Sequence, residues 1–298
     1  MGSNVVAIGN FDGVHSGHVE VLRHAHSLAP DEPLVVVTFW PHPMQVLRPE
    51  GAPRLLTDLP TRLALLKRAG ASEVRVVQFT RDVSTWSPEE FVQRILLPLD
   101  PSHVVVGTNF RFGYRAGGTV DTLRELGSGR FQVEAMDLLG VEGQTTCSTA
   151  VREALSIGDV ELAATHLGRP FRVQGVVVVG DQRGRELGFP TANLPVAPDM
   201  ATPLDGVYAG WLTCLGDPDA QPMPAAISVG SNPTFQGLER RVETYVLDRT
   251  DLELYGTEIA VDFVARLRGQ ITFTGIEALV EQMAQDVERT RELLGARP

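Results

Sequence analysis

Two histidines, His15 and His18, lie three positions apart in a glycine-rich segment near the start of the chain. The segment runs Gly9-Asn10-Phe11-Asp12-Gly13-Val14-His15-Ser16-Gly17-His18, between an apolar strand-like run and a helix-like stretch. Gly17 therefore lies near a helix start, where backbone amides and the helix dipole favour an anion. Imidazole N–H groups can donate to phosphate oxygens without the fixed charge of lysine. The pattern predicts a turn that grips the phosphates of a nucleotide.

The glycines of this segment fit the same prediction. Gly9 removes a Cβ where a ligand approaches the strand end, and Gly13 permits an unusual turn conformation. Two alternatives stay open at this point. Both histidines are ordinary surface residues in the first, and they form a metal pair in the second, since such spacing suits zinc. No third ligand has similar local spacing, although His42 stays open as one.

A second short motif, Ser148-Thr149-Ala150-Val151-Arg152, follows Cys147. Serine and threonine are good helix N-caps, and Arg152 comes one turn later with a planar fork of donors. Alone, such a motif is more often a plain helix start. Paired with the opening turn, it predicts a second group of anion ligands.

The first half of the chain alternates Val-rich runs with helix-like stretches. Continuous apolar strands separated by helices predict a parallel sheet covered on both faces, which binds ligands beyond the carboxyl ends of its strands. The predicted strands are Val5–Phe11, Leu34–Phe39, Val74–Phe79, Val104–Asn109 and Phe131–Met136. The predicted helices are Gly17–Leu28, Thr57–Ala69, Phe91–Leu97 (opened by a capping box at Ser87) and Val120–Leu126.

The second half has another pattern. Two short helices, Ser148–Leu155 and Val160–Leu167, precede strand-like runs with little helix between them, which predicts an antiparallel barrel or sandwich. These runs are Val173–Val179, Val207–Leu215, Ala225–Val229, Val242–Leu247 and Ile259–Leu267, followed by an amphipathic helix over Ile276–Leu294. A boundary near Gly168 divides the chain into domains 1–167 and 168–298.

The composition limits the partners and the location. The chain has 298 residues and a formal net charge of −11, which argues against non-specific nucleic-acid binding. It has two cysteines, Cys147 and Cys214, in different predicted domains, which fits a reducing compartment better than a disulfide framework. No signal peptide and no transmembrane run is seen. We expect a cytoplasmic protein with neither a nucleic-acid nor a membrane partner.

The opening segment resembles the Gly-x-Phe-Asp-x-x-His-x-Gly-His signature of the nucleotidyltransferase superfamily. The usual companion of that signature is Ser-Ser-Thr-x-x-Arg, which matches here except that Cys147 replaces the first serine. Two further stretches, Thr38–Pro43 and Val106–Gly113, resemble the bacterial FAD synthetase branch. Thr108 and Trp40 depart from the branch pattern, which affects the expected shape of the flavin and adenine pockets.

The resemblance implies a Rossmann-like nucleotidyltransferase domain and assigns its ligands. His15 and His18 would serve the α-phosphate of ATP, and Ser148, Thr149 and Arg152 would hold the departing phosphates. The other expected nucleotide or flavin contacts are Gly9, Phe11, Asp12, Gly13, Gly17, Asn109 and Arg111. Phe39, Phe110 and Phe112 are alternatively core aromatics.

A third group of motifs resembles the riboflavin kinase domain, a small antiparallel β-barrel with a C-terminal helix. Its most specific element is Gly188-Phe189-Pro190-Thr191-Ala192-Asn193, and further matches are Asn232–Phe235, Glu243–Tyr245 and Leu254–Gly256. The two resemblances together cover almost the whole chain and correspond to the bifunctional prokaryotic riboflavin kinase/FAD synthetase family. Members of this family often carry a longer leader, which leaves open whether a segment precedes Met1.

The kinase resemblance implies a second set of site residues. Thr191 and Asn193 offer hard oxygen donors for Mg²⁺, Gly188 and Pro190 present them, and Glu243 is the expected general base. The alternatives are a capped turn at 190–193 and a solvated strand carboxylate at Glu243. The segment Gly180–Gly188, with Arg183 and Arg185, is either a hairpin loop or a mobile flap over phosphates.

The function expected from both resemblances is two consecutive ATP-dependent steps. The second domain would phosphorylate riboflavin to FMN, and the first would join FMN to the AMP part of a second ATP, giving FAD and pyrophosphate. Two rival hypotheses remain from the residues alone. One is nucleotidyl transfer to a different phosphate compound, and the other is a module that binds flavin without turnover.

Overall fold

The structure is a computed structural model that describes residues 3–137, 147–180, 184, 187–217, 219–234 and 237–295. Within 232–234 and 237–239 the backbone alone is described. The chain divides into two compact units, Met1–Ser148 and Thr149–Pro298.

The first unit is built on a five-stranded parallel sheet. Its strands are β1 (Asn4–Ile8), β2 (Leu34–Trp40), β3 (Glu73–Gln78), β4 (Pro101–Gly107) and β5 (Gln132–Met136), in the order β3-β2-β1-β4-β5. The central strand β1 is buried on both faces: Val6 and Ile8 belong to one core cluster, and Val5 and Ala7 to the other. This two-sided burial explains why the strands are continuous apolar runs.

Helices cover both faces of this sheet. They are α1 (Ser16–Leu28), α2 (Pro43–Leu47), α3 (Leu59–Arg68), α4 (Pro88–Phe91) and α5 (Val120–Gly127). The predicted capping box at α4 is present: the Ser87 hydroxyl accepts from the Glu90 amide at 3.2 Å, and the Glu90 carboxylate accepts from the Ser87 amide at 3.0 Å. The helix predicted over Phe91–Leu97 is instead a wider π-type turn at Val92–Leu96 followed by a 3₁₀ turn at Leu97–Leu99.

The strand order reverses between β1 and β4, which are neighbours in the sheet. In open α/β sheets, the loops that leave such neighbours diverge and form a crevice that binds ligands. The turn after β1 and the loop after β4 therefore lie on either side of the crevice that this topology creates.

The second unit is a six-stranded antiparallel sheet that curls into a nearly closed barrel. Its strands, in chain order, are β6 (Phe171–Val176), β7 (Thr191–Val196), β8 (Gly206–Cys214), β9 (Met223–Thr234), β10 (Gly237–Val246) and β11 (Glu258–Arg268). They are arranged as β6-β11-β8-β9-β10-β7. The two end strands meet where the Val178 amide donates to the Asn193 carbonyl at 2.9 Å.

Three helices accompany the barrel: α6 (Ser148–Ile157), α7 (Val160–Leu167) and α8 (Ile276–Leu294). The Arg268 guanidinium of β11 forms a largely buried ion pair with Asp286 of α8 at 2.6 Å. The Leu204 amide, which precedes β8, donates to the Leu155 carbonyl of α6 at 2.9 Å. The second compact unit begins at Thr149, so it includes all of α7 and every residue of α6 except Ser148. The predicted domain boundary between residues 167 and 168 stays a prediction.

The predicted fold class is confirmed: an α/β unit with a parallel sheet is followed by an antiparallel barrel and a terminal helix. Within the described residues, no helix has the length and apolar character needed to cross a membrane.

Candidate active sites

The turn after β1 has an unusual backbone. Phe11, Gly13 and Val14 all have positive φ, at 50°, 82° and 41°. The left-handed region is unfavourable for a β-branched residue such as Val14, so surrounding contacts must hold it there. Both Phe11 and Val14 are 2% exposed and pack in the core beneath the turn. The turn is therefore a fixed feature whose backbone strain is balanced by burial.

His15 is the N-cap of α1. Its Nδ1 accepts a hydrogen bond from the His18 amide at 3.2 Å, so the neutral ring carries its proton on Nε2. The two imidazoles are stacked, with ring centroids 3.5 Å apart, and Phe11 meets the His18 ring edge-on at 5.1 Å. The helix start thus holds both rings side by side at the end of β1, with a defined tautomer for His15.

Asp12 lies beneath the turn and bonds to the protein interior. Its carboxylate accepts from the Leu56 and Thr57 amides at 3.1 and 3.2 Å and from the Arg62 guanidinium at 2.9 Å. Asp12 is 2% exposed and Arg62 is fully buried. The direct nucleotide contact proposed for Asp12 stays a prediction, while its observed bonds tie the turn to the segment before α3.

Arg62 is a site residue that the sequence did not single out. Its Nη1 donates to the Asn10 carbonyl at 3.0 Å, and its guanidinium carbon lies 5.3 Å from the Trp40 ring centroid. A charged residue in a helix sequence is ordinarily solvated, and the periodicity of α3 carries no sign that this one is buried. Long-range contacts such as the one with Asp12, 50 positions away, identify it.

The metal alternative for the histidines gains no support. His42 caps α2, where its Nδ1 accepts from the Met44 amide at 3.2 Å and its Nε2 lies 3.4 Å from the Asn10 side-chain amide. In the part of the chain that the structure describes, no group of three or more His, Cys, Asp or Glu side chains could hold a metal ion.

Ser148 joins the second predicted motif to the turn. Its hydroxyl donates to the Asp12 carbonyl at 2.8 Å, across 136 positions of sequence. α6 begins at Ser148, so Thr149 lies in its first turn and Arg152 one turn later. The second motif, which the sequence analysis paired with the opening turn, thus contacts that turn directly through Ser148.

The loop after β4 carries the other residues predicted for the first site. Asn109 and Arg111 are both exposed, and Phe112 and Phe110 stack with centroids 5.4 Å apart. Phe39 and Phe112 are 8% and 6% exposed and belong to the core, with Phe110 packed against it. These three rings are therefore core aromatics, as the alternative hypothesis stated. The exposed polar side chains of the loop, Asn109 and Arg111, lie at the crevice.

In the second unit, strand pairing collects the predicted kinase residues. β10 pairs with β7 so that Glu243 lies opposite Asn193 and Tyr245 opposite Thr191. Directly paired side chains share a face and stand about 4.5–5.5 Å apart at Cβ. The Pro-Thr-Ala-Asn segment therefore leads into a strand rather than a capped turn, and Asn193 lies directly opposite Glu243 in the pairing.

Asn193 is 5% exposed, and the backbone of Gly180 lies against its side chain. A Cβ on Gly180 would come within 2.4 Å of the Asn193 side-chain carbon. Gly188 has a φ of +86°, a conformation that favours glycine. The flap residues Arg183 and Arg185 lie outside the described residues, so the hypothesis of a flap over phosphates stays a prediction.

A pocket opens beside these residues. It is lined by Val177, Pro190, Thr191, Ala192, Asn193, Thr244, Val246, Arg249, Thr250, Leu252, Leu254 and Tyr255. Its wall combines apolar side chains with polar ones, among them Thr191, Asn193 and Arg249, as is common for sites that bind small organic molecules. Next to it, burial raises the pKa of the Tyr245 phenol, whose ring meets Phe189 edge-on at 5.2 Å.

Comparison with known families assigns both units. A family model described as FAD synthetase matches residues 2–150, and one described as riboflavin kinase matches residues 167–294. The chain belongs to the bifunctional riboflavin kinase/FMN adenylyltransferase family. It is an enzyme that phosphorylates riboflavin to FMN and adenylylates FMN to FAD, so the rival hypotheses of another acceptor and of binding without turnover are set aside.

The relatives are similar over nearly their whole length. The bifunctional riboflavin kinase/FMN adenylyltransferase of Listeria monocytogenes is 35% identical over 97% of this chain and 92% of its own. That of Escherichia coli K12 is 34% identical, over 98% and 93%. A solved structure from Streptococcus pneumoniae, titled as a macrolide-efflux protein, matches with a TM-score of 0.86 and 31% identity over 98% of this chain and 95% of that one.

Proposed function

We propose that His15 and His18 bind the α-phosphate of ATP while the FMN phosphate attacks it. One FMN phosphate oxygen forms a bond to the α-phosphorus, and the bond to the bridging oxygen breaks to release pyrophosphate. FMN brings its own nucleophile, so the protein has to align the groups and stabilise the developing charge. The observation that supports this role most directly is the hydrogen bond from the His18 amide to His15 Nδ1 at 3.2 Å, because a neutral ring that accepts at Nδ1 carries its donor proton on Nε2.

The remaining predicted ligands of the first site fit the same proposal. Ser148, Thr149 and Arg152 would hold the departing pyrophosphate at the start of α6, where the helix dipole favours an anion. Gly9, Phe11, Gly13 and Gly17 would shape the turn around the nucleotide, and Asp12 would fix it through Arg62. The exposed Asn109 and Arg111 would contact the flavin nucleotide at the other side of the crevice.

For the kinase step, we propose Glu243 as the general base. It would accept the proton of the ribityl 5′-hydroxyl as that oxygen bonds to the γ-phosphorus and ADP leaves. The cross-strand pairing of Glu243 with Asn193 supports this role, because it brings a carboxylate beside the residue proposed to hold the phosphates.

Thr191 and Asn193 are the residues proposed to bind Mg²⁺, presented by Gly188 and Pro190. A hydroxyl and an amide oxygen are hard donors that suit this ion, and the Gly180 backbone leaves no room for a side chain over Asn193. When bound, Mg²⁺ would neutralise the charge of the ATP phosphates.

We also propose a cytoplasmic location and no nucleic-acid partner, in line with two unpaired cysteines and the net charge of −11.

The first test separates the two reactions by substitution of His18. His18→Ala should lower FAD formation from FMN by about 10²–10³-fold, the usual effect of removing one charge-stabilising donor. FMN formation from riboflavin should be unchanged. His26→Ala, an exposed histidine on the same helix, is the matched control. Equal loss of both products in a folded variant would contradict the assignment.

The converse test uses Glu243→Gln, which keeps the shape of the side chain and removes its basicity. FMN formation should fall sharply, while conversion of FMN to FAD continues at the normal rate. Glu258→Gln, on an exposed strand position of the same barrel, is the control. Unchanged kinase activity would remove Glu243 from the role of base.

A further inference from the structure

The loop between β10 and β11, residues 247–257, forms one wall of the kinase pocket. The residues proposed for catalysis and for metal binding lie on the strands instead, Thr191 and Asn193 on β7 and Glu243 on β10. The position of the loop should therefore affect how tightly a substrate binds more than how its proton and phosphate are transferred. The loop residues that line the pocket are Arg249, Thr250, Leu252, Leu254 and Tyr255.

Backbone hydrogen bonds fix the two ends of this loop. At its start, the Leu247 amide donates to the Pro224 carbonyl of β9 at 2.9 Å. At its end, the Gly256 amide donates to the Val177 carbonyl, and the Val177 amide donates to the Thr257 carbonyl, both at 3.0 Å. All five lining residues lie between these ends, and holding such a stretch in one conformation costs entropy that further contacts must offset.

Asp248 is the first residue of that stretch, and it is paired with the terminal helix. Arg291 of α8 donates from Nη1 to Asp248 Oδ2 at 2.7 Å and from Nη2 to Oδ1 at 3.0 Å. The Arg291 side chain is only 16% exposed. A bidentate pair of this kind fixes orientation as well as distance. The hydrogen bond from Arg291 also lowers the pKa of Asp248, which keeps the carboxylate charged.

The backbone of Asp248 has an unusual conformation. Its φ is 59°, in the left-handed region that is unfavourable for residues with a Cβ, although less so for aspartate. Burial raises the pKa of the Tyr245 phenol, and a hydrogen bond with the Asp248 backbone opposes that rise. Tyr245 lies opposite Thr191 in the strand pairing. Asp248 thus connects α8, the loop and the strand pair that carries the proposed kinase residues.

We propose that Arg291 is a positioning residue for the kinase, because it holds Asp248 in the left-handed conformation and so sets the loop that forms a wall of the substrate pocket. The inference rests on the proposed kinase site at β7 and β10. Arg291 does not line the pocket itself, so it acts through Asp248. The terminal helix thereby contributes to substrate binding in addition to the stability of the barrel.

The test compares Arg291→Met with Arg289→Met in the full chain. Methionine keeps helix propensity but cannot pair with Asp248. Arg291→Met should raise the KM for riboflavin, for Mg-ATP or for both by about 3- to 10-fold in FMN formation. The kcat should change by less than about 2-fold, because the loss concerns binding rather than the transferring groups. Arg289 is the matched control, since it forms an exposed pair with Glu292 on the same helix at 2.8 Å.

Variants of Asp248 test the same link from the loop side. Glycine adopts a left-handed backbone without strain, whereas alanine does not. Asp248→Gly should therefore raise the KM less than Asp248→Ala does. Arg291→Met should add less than about 2-fold to the KM in either background, because the pair is already lost. These variants also carry the test should Arg291→Met fail to fold.

The KM separates positioning from a merely structural role. A variant that only destabilises the barrel lowers the amount of active enzyme, and hence the apparent kcat, at an unchanged KM. Three results would overturn the inference: unchanged KM values for both substrates, a fall in kcat alone, or an equal rise in KM for Arg289→Met. Failure of the proposed kinase site looks different, because Glu243→Gln and Asn193→Ala would then leave FMN formation unaffected while any dependence of the KM on Arg291 would still be measured.

Discussion

The buried ion pair under the first site makes a sharp prediction about Arg62→Met. The guanidinium donates to the Asp12 carboxylate at 2.9 Å and to the Asn10 carbonyl at 3.0 Å, and both charged side chains are at most 2% exposed. Methionine fills part of the volume but leaves the carboxylate buried without its counter-charge. Removal of one partner from a buried pair costs about 3–5 kcal/mol.

This loss should be visible as a fall in the unfolding temperature of the first unit. At about 2–4 °C per kcal/mol for a unit of this size, the expected shift is roughly 6–20 °C. The assay heats the protein in steps and then measures conversion of FMN to FAD, with FMN formation from riboflavin as the internal reference for the second unit. Fluorescence adds a structural signal to which the first unit contributes Trp40 and Trp86 and the second unit Trp211.

Two further variants make the prediction refutable. Asp12→Asn combined with Arg62→Met removes both charges, and it should recover at least about 0.5 kcal/mol relative to the sum of the single changes. Arg23→Met breaks an exposed ion pair with Glu20 and should change stability by less than about 0.5 kcal/mol. A loss below about 1 kcal/mol for Arg62→Met, or an equal loss for Arg23→Met, would refute the reasoning.

Two other predictions concern stability. Hydrogen bonds from the Ser102 and Ser3 hydroxyls lower the pKa of Glu32 in the folded protein. The stability that this carboxylate contributes is therefore present above the pKa of the unfolded state, and it is lost as the pH falls through the pKa of the folded state. Ser102→Ala should move that pKa up, toward the ordinary value, in an NMR titration. Gly210→Ala should destabilise the barrel by about 1–3 kcal/mol in denaturant unfolding, because the new Cβ would lie 1.9 Å from the Asp262 carbonyl oxygen. Gly216→Ala is the control and should leave the stability unchanged, because no heavy atom of the described residues beyond its chain neighbours lies within 4 Å of its Cβ position.

The sequence predicted the layers well because burial leaves a direct mark on residue type. Val5–Ala7 and Leu34–Val37 are continuous apolar runs, and both are central strands buried on two faces. The long hairpin of β9 and β10 was only partly predicted. Gly230, Asn232 and Pro233 are residue types that indicate a turn locally, but in the structure they pair with β10.

A candidate site residue can be found in the sequence where a motif carries its own chemistry, but not where a contact decides its role. His15 was singled out by its type and spacing, whereas Arg62 was not. Arg62 looks like an ordinary helix charge until its contact with Asp12 is known. That contact joins residues 50 positions apart, so no local pattern encodes it.

The hydrogen bond from Ser148 to the Asp12 carbonyl also bears on how the enzyme is synthesised. The turn is among the first parts of the chain to leave the ribosome, but this partner follows 136 residues later. β1 also needs β4, which begins at Pro101, as its neighbour in the sheet. Nascent chains released before Ser148 should therefore lack a finished adenylyltransferase site, however early the phosphate-binding turn is translated.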